Sequence, residues 1–177
     1  MEDTLMKRIL YFVIAILFLA SVAYSQSSLG GSIYLVVNNS GATIYRGQLV
    51  VGDSASVIAA GPVAGVVYFT GVDTCPVSSW YCIGTVYSES ILSTGIGQYG
   101  FITTSGRGYV AVQYDRATTV IPGSRVLAVS ADSSRKANCY KKETVPDHYM
   151  EIGQPVTKLY GKNAHGDSIC IADIHKL

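Results

Sequence analysis

The sequence predicts an all-β protein, a single barrel or sandwich of roughly 8–12 short strands, preceded by an N-terminal signal helix. Three observations lead to this prediction. Short runs rich in Val, Ile, Tyr and Thr recur along the chain, and 18 glycines supply tight turns between them. After residue 25 there is no amphipathic helical stretch of useful length.

Residues 1–25 have the order of a secretory signal peptide. The basic pair Lys7-Arg8 precedes an apolar run at residues 9–20, and small residues near position 25 precede Gln26. An uncleaved membrane anchor is the alternative. A bilayer span needs roughly 20 apolar residues, and the apolar run at residues 9–20 is shorter than that. We therefore expect cleavage near Gln26, a single β domain at 26–177, and a secreted, extracellular or cell-surface location. Membrane contact is expected only through an uncleaved signal segment.

The predicted strands follow one another between turns rich in Gly, Asn, Ser and Asp. They are residues 32–37, 43–45, 48–51, 56–59, 66–69, 83–89, 100–103, 109–114, 125–130, 136–140, 156–160 and 169–174. In strand 109–114, Val110 and Val112 share one face, because side chains alternate along a strand. Asn38-Asn39-Ser40 marks the first turn. The same triplet matches the glycosylation acceptor pattern at Asn38, although turn formation is the first expectation.

The charge balance excludes a typical nucleic-acid-binding protein. The chain has 13 basic and 12 acidic residues, for a formal net charge of +1. A nucleic-acid surface needs many cations on one face. The densest cations, Arg135-Lys136 and Lys141-Lys142, are typical of a solvated surface. No nucleic-acid partner is therefore expected.

The four cysteines are expected to form two disulfides, because an even number of cysteines in an exported chain is typical of a disulfide framework. Three pairings are possible. We favour Cys75 with Cys82, which would close a short loop at its base, and Cys139 with Cys170. A zinc site is the alternative, but the paired CxxC spacing that such sites usually show is missing.

The search for catalytic and metal-binding residues gives only weak candidates. Each of the three histidines has an aspartate within two residues, in the pairs Asp147/His148, His165/Asp167 and Asp173/His175. A hydrolase also needs a positioned nucleophile, and a metal centre needs three or four converging ligands. A secreted hydrolase using His148 or His165 is the least favoured alternative. The sequence predicts a protein that is not an enzyme, with no catalytic residue, cofactor or metal.

Aromatic side chains give the strongest indication of a binding surface. The chain has 13 tyrosines, and tyrosine suits half-buried surfaces at which subunits or sugars bind. Tyr109 and Tyr114 are candidates for such a surface. Trp80 and Tyr81 lie in the loop between Cys75 and Cys82, where their rings can be displayed to a ligand or an interface.

Several phrases of the sequence follow one another in a characteristic order. They are VNNSGATI at 37–44, RGQLVV at 46–51, IGTV at 83–86, GFITTSG at 100–106, PGSRVL at 122–127 and EIGQP at 151–155, with an Ile-rich strand at the end. From Val36 onward the chain thereby resembles small β-barrel modules of phage virion proteins, the head-decoration and fibre-type barrels. The resemblance implies a non-enzymatic module that assembles on itself or attaches to a lattice.

The leading hypothesis is a secreted, non-enzymatic structural subunit that assembles with copies of itself. It would build or decorate an extracellular filament, sheath or surface layer, and buried Tyr and Val faces would join the copies. Residues 26–31 are a candidate for pairing with the sheet edge of a neighbour. The alternative is a carbohydrate- or surface-binding module that presents Trp80 and Tyr81 on a disulfide-closed loop.

Overall fold

The structure is a computed structural model that describes residues 32–53, 71–113, 119–145 and 147–175. The strands in these ranges are β1 (Ser32–Asn38), β2 (Ile44–Tyr45), β3 (Leu49–Gly52), β4 (Gly71–Thr74), β5 (Cys82–Val86), β6 (Ser90–Ile91), β7 (Tyr99–Ala111), β8 (Val126–Val129), β9 (Ala137–Tyr140), β10 (Glu151–Lys162) and β11 (Ser168–His175). Three short 3-10 turns lie at Ile96–Gln98, Lys142–Thr144 and His148–Met150. The predicted signal segment, the segment 26–31 and the predicted strands 56–59 and 66–69 lie outside the described residues.

Five strands close into a barrel in the order β1-β4-β3-β5-β7, because β1 pairs with both β4 and β7. The β1–β4 pair is parallel and the other pairs are antiparallel. Alternate side chains of these strands point inward, among them Val36, Val50, Val72, Val86 and Ile102. They form one apolar core together with Ile44 of β2 and Ile91 of β6, which pair with each other in a separate two-stranded sheet. The prediction of an all-β barrel or sandwich is confirmed for the described residues, which form a closed barrel with additional outer strands.

The outer strands extend from the second half of β7 in the order β11-β10-β8-β9. At the far end of this series, Ala137 of β9 forms an isolated parallel bridge with Val112, next to the end of β7. A second apolar core lies here and includes Val110, Leu127, Val129, Ala137, Ile152, Ala172 and Ile174. Strand β7 therefore contributes to both cores.

The structure differs from the predicted strands mainly at β7. Residues 100–103 and 109–114 were predicted as two strands, whereas Tyr99–Ala111 is continuous. At Gly108 the strand packs closely against β11, and a Cβ atom at this position would lie only 2.6 Å from Cδ1 of Ile174. Gly106 also lies within β7, with a φ of 78° that favours glycine. These glycines are typical of turns, so the sequence pattern is misleading here.

The predicted disulfides are wrong. All four cysteines are described, all are buried thiols, and no pair lies at disulfide distance. Strand β3 lies between β4, which ends next to Cys75, and β5, which begins at Cys82. Two inter-strand spacings amount to about 10 Å, whereas a disulfide needs Cα atoms within about 7 Å.

The second predicted pair is separated in the same way. Cys139 lies on β9 and Cys170 on β11, with β7 between them on one side and β8 and β10 on the other. All four thiols belong to the second apolar core. Burial raises the pKa of the Cys139 thiol, and it raises the pKa of Cys170 to about 12, with Cys139 adding to the effect. The cysteines therefore act here as small apolar core residues.

We predict that the four thiols resist alkylation in the folded protein. None is more than 4% exposed, so burial keeps the reagent away from all four, and the raised pKa of Cys139 and Cys170 further lowers the amount of reactive thiolate at those two. Mass spectrometry after N-ethylmaleimide treatment should show no adduct on native protein. Four adducts should form in guanidinium chloride without reductant. Fewer than four adducts on the unfolded, unreduced chain would contradict the thiol assignment.

A second prediction concerns Thr85 and Thr103, which face each other across β5 and β7. Both are fully buried, and neither hydroxyl has a hydrogen-bond partner. Thr103→Val or Thr85→Val should therefore leave the free energy of unfolding unchanged or raise it by up to about 1 kcal/mol, as measured by chemical denaturation. Thr104→Val is the matched control. It should lower stability by about 1 kcal/mol, because the Thr104 hydroxyl donates to the Ser32 carbonyl.

Candidate functional site

A cleft of about 370 Å³ opens beside the loop that connects β4 and β5. Its described lining residues are Trp80, Cys82, His148, Tyr149, Glu151, Ile152, Gly153, Gln154 and His175. They come from that loop, from the 3-10 turn at His148–Met150, from the first residues of β10 and from the end of β11. The volume lies within the range of small-molecule sites in proteins.

Two aromatic rings stand at this cleft. Trp80 is 57% exposed and Tyr149 is 73% exposed. Their ring centroids are 6.3 Å apart and their planes are inclined by 33°. Asp147 helps to fix Tyr149, because the Asp147 carboxylate accepts a 2.9 Å hydrogen bond from the Tyr149 backbone. The pair forms an exposed aromatic platform that a ligand can contact without any rearrangement of the core.

The other side chains at the cleft are polar. His148 Nδ1 lies 2.8 Å from Glu151 Oε1. Gln154 and His175 are exposed at the same cleft. Beneath them β10 lies close to β11, since a Cβ atom at Gly153 would collide with the backbone carbonyl of Asp173. The cleft thus combines an aromatic wall with hydrogen-bond donors and acceptors.

A second surface lies on the outside of the closed barrel, where β1 pairs with β7. Leu35 lies opposite Phe101 and Val37 lies opposite Tyr99. These four side chains alternate with inward-facing core residues, so they share the outer side of the sheet. Tyr99 is 62% exposed, and Ile96 in the preceding 3-10 turn is 96% exposed. We call Leu35, Val37, Tyr99 and Phe101 the outer apolar face.

Asp167 was predicted as half of a possible catalytic or metal-binding pair with His165. The His165 Nδ1 atom does lie 3.2 Å from Asp167 Oδ2. However, Lys136 Nζ lies 2.7 Å from Oδ1, and Gln48 donates a 2.7 Å hydrogen bond to Oδ2. Asn163 donates to the same oxygen at 3.2 Å. The cation at this carboxylate is therefore a lysine of the chain itself.

This environment controls the ionisation of Asp167. The carboxylate is only 5% exposed, and burial alone would raise its pKa. Hydrogen bonds from Lys136, Gln48, Asn163 and His165 outweigh burial and hold the pKa of Asp167 well below its usual range. Because Gln48 precedes β3 while Asp167 precedes β11, the buried carboxylate joins distant parts of the chain.

The remaining candidate residues are dispersed. Tyr81 is 79% exposed next to Trp80 but does not line the cleft. Tyr109 belongs to a row of tyrosines, with ring centroids 6.4 Å from Tyr87 and 6.1 Å from Tyr160. The guanidinium of Arg46 lies 5.0 Å from the centre of the Tyr109 ring. Tyr114 lies outside the described residues.

Asn38 is fully buried. Its amide nitrogen donates to the backbone carbonyls of Ala42, Ile91 and Leu92 at 2.7, 3.0 and 3.1 Å. Its side-chain oxygen accepts from the backbone and the hydroxyl of Ser40. These bonds fit the turn-forming role, and the atom that would carry a glycan is already occupied in the folded chain.

The histidine–aspartate pairs do not assemble into one centre. Asp147 caps a backbone amide while His148 contacts Glu151. Asp173 Oδ1 lies 3.5 Å from Nε of Arg107, whereas His175 lines the cleft. Within the described ranges, no three His, Cys, Asp or Glu residues are placed to hold a metal ion.

Sequence reasoning missed Tyr149, Glu151 and Gln154 at the cleft. The signal that was available is the polar segment around Tyr149, which runs from Asp147 into the first residues of β10 and includes Glu151 and Gln154. No helix in the described part of the chain has the length and apolarity to cross a bilayer.

Comparisons with protein-family models, curated proteins and solved structures found no match.

We predict that Asp167→Asn lowers the free energy of unfolding by about 2–3 kcal/mol. The amide would place a donor among groups that already donate, and it would leave Lys136 without its counter-charge. Asp173→Asn is the matched control, because that carboxylate is 45% exposed beside Arg107; its effect should stay below about 0.5 kcal/mol. Equal losses in the two variants, measured by denaturant titration, would contradict the assigned role of Asp167.

The lowered pKa of Asp167 also predicts a pH dependence of stability. The unfolded carboxyl protonates near its ordinary pKa of about 4, before the folded one does. The stabilisation is therefore complete above about pH 5 and is lost as the pH falls from there toward the folded pKa. Denaturation curves between neutral and acidic pH should show this loss, and the curve for Asp167→Asn should be flatter in that range. An unchanged acid slope in the variant would contradict the prediction.

Proposed function

We propose that this chain is a non-enzymatic structural subunit that associates with copies of itself, to build or decorate an extracellular filament, sheath or surface layer. The observation that carries the proposal is the outer apolar face of the closed barrel. Tyr99 and Phe101 are 62% and 39% exposed there. Large apolar side chains grouped on one surface are typical of protein–protein contact sites.

The form of this face suits a neighbouring subunit. It lies on two paired strands whose opposite sides are anchored in the core by Val36 and Ile102. Tyrosine and phenylalanine on such a rigid support bury much apolar area and lose little side-chain freedom on binding. The face can therefore bind without rearrangement of the barrel.

The charge of the chain permits contact between identical copies. Its formal net charge is +1, so copies repel one another only weakly, and near-neutral proteins associate more readily than strongly charged ones. The resemblance to head-decoration and fibre-type barrels supports the same function, since such modules attach to repeated lattices.

Pairing of sheet edges is a less favourable way to join the copies. The described barrel is closed, and the exposed part of β10 after Pro155 carries Lys158 and Lys162. Its pairing with β11 has two register shifts between Pro155 and Gly161. Lysines and bulges on an edge discourage the addition of another strand. Association through the outer apolar face avoids this obstacle.

The test is sedimentation equilibrium of the protein across a wide concentration range. The unsubstituted protein should form oligomers or polymers. The double variant Tyr99→Ser/Phe101→Ser should weaken association by about 2 kcal/mol or more, a factor of about 30. Both side chains are exposed, so the fold should be retained, and circular dichroism checks this.

Tyr81→Ser is the matched control, because Tyr81 is 79% exposed but lies outside the outer apolar face. It should associate like the unsubstituted protein. A strictly monomeric protein at the highest concentration would contradict the proposed function. Equal weakening by Tyr81→Ser would show that association does not depend on the outer apolar face.

A further inference from the structure

We propose that the cleft beside Trp80 and Tyr149 is a binding site for an uncharged saccharide. This goes beyond the proposed structural role and places a ligand site on a different surface of the molecule. The aromatic pair, the polar side chains around it and the size of the cleft carry the inference together.

The first step is the match between the aromatic platform and a sugar ring. A pyranose presents an apolar face of C–H groups and a polar rim of hydroxyls. Trp80 and Tyr149, whose centroids are 6.3 Å apart, offer aromatic surface for the apolar face. More than half of each side chain is exposed, so the surface is available to a ligand.

The second step is the polar rim of the cleft. Glu151 uses Oε1 for its contact with His148, which leaves Oε2 to accept a hydrogen bond from a sugar hydroxyl. The side-chain amide of Gln154 both donates and accepts. His175 adds an imidazole at the same cleft. Donors and acceptors beside an aromatic wall are what a polyhydroxylated ring requires.

The third step favours an uncharged ligand over a charged one. None of the described residues that line the cleft is a lysine or an arginine, the side chains that usually bind phosphate, sulfate or carboxylate. The Glu151 carboxylate would repel an anionic group. A ligand cation would instead need a more acidic site, since Glu151 is the sole carboxylate among these lining residues. A neutral saccharide is not repelled by Glu151, and it does not need the additional carboxylates that a cation would need.

The size of the cleft limits the ligand to a short segment. At about 370 Å³, it lies near the lower end of the range for small-molecule sites. The site therefore fits one or two sugar units of a glycan, whose remaining units would extend into solvent.

The chain carries its own reporter for this site, because Trp80 is its one tryptophan. The full-length protein is first screened on an array of neutral and acidic oligosaccharides. The neutral glycans that bind are then titrated while Trp80 fluorescence is recorded. Saturable binding with a change in Trp80 emission is the expected result.

Variants distinguish the cleft from other surfaces. Tyr149→Ala removes half of the platform, keeps the reporter and should weaken binding about tenfold. Tyr81→Ala, on the same loop but outside the lining, should leave affinity unchanged. Trp80→Phe keeps an aromatic ring and should retain part of the binding, measured by calorimetry. Thermal unfolding of each variant checks that it is folded.

Three results would overturn the inference. They are no binding of any neutral glycan at millimolar concentration, preferential binding of acidic glycans, and equal loss of affinity in Tyr81→Ala and Tyr149→Ala. The variant Tyr99→Ser/Phe101→Ser separates this test from that of the proposed function. It should bind glycans normally even where self-association is lost.

Discussion

The position of β7 is the constraint on which the rest of the structure depends. Its first half pairs with β1 and β5 to close the barrel, and its second half pairs with β11 to start the outer strands. Because β7 pairs with other strands along both halves, its neighbours lie close to it. Glycine at position 108 allows this, since a Cβ atom there would collide with the Ile174 side chain of β11. Both candidate surfaces are attached to this strand. Tyr99 and Phe101 lie on it, and His175 at the cleft pairs with its Ser105.

The fold class was predictable because the barrel follows from short-range patterns. Short apolar runs in β1, β3 and β11 indicated these strands, and the Asn-Asn-Ser-Gly turn after β1 lies where the sequence indicated. Strand β4 was missed because the sequence GVDT, at residues 71–74, lacks such an apolar run. It is a strand because β1 and β3 supply its hydrogen-bond partners on both sides. Tertiary pairing of that kind leaves no local signal.

The candidate sites also depend on contacts between distant parts of the chain, which the sequence pattern does not reveal. Trp80 was predicted because a lone tryptophan in a loop is visible in the sequence, but nothing local brings Tyr149 next to it. Asp167 was paired with its neighbour His165, whereas the cation at its side is Lys136. The disulfide prediction failed because it depended on the signal peptide for an oxidising compartment and on spacing for geometry. With buried thiols in the core, the case for export rests on residues 1–25 alone.

The chain distances within these contacts have a consequence for how the protein reaches its native state. Ser32 pairs with Ser105, and Gln48 donates to Asp167, 119 residues further along the chain. Contacts between such distant residues slow folding, because the chain must lose the conformational entropy of closing a long loop before the contact can form. Lys136 and Gln48 reach the Asp167 carboxylate only when the hairpin of β10 and β11 has packed against the rest of the chain. The five strands of the closed barrel all lie before residue 112, so the second apolar core, which needs β11, is completed after the barrel strands have been made.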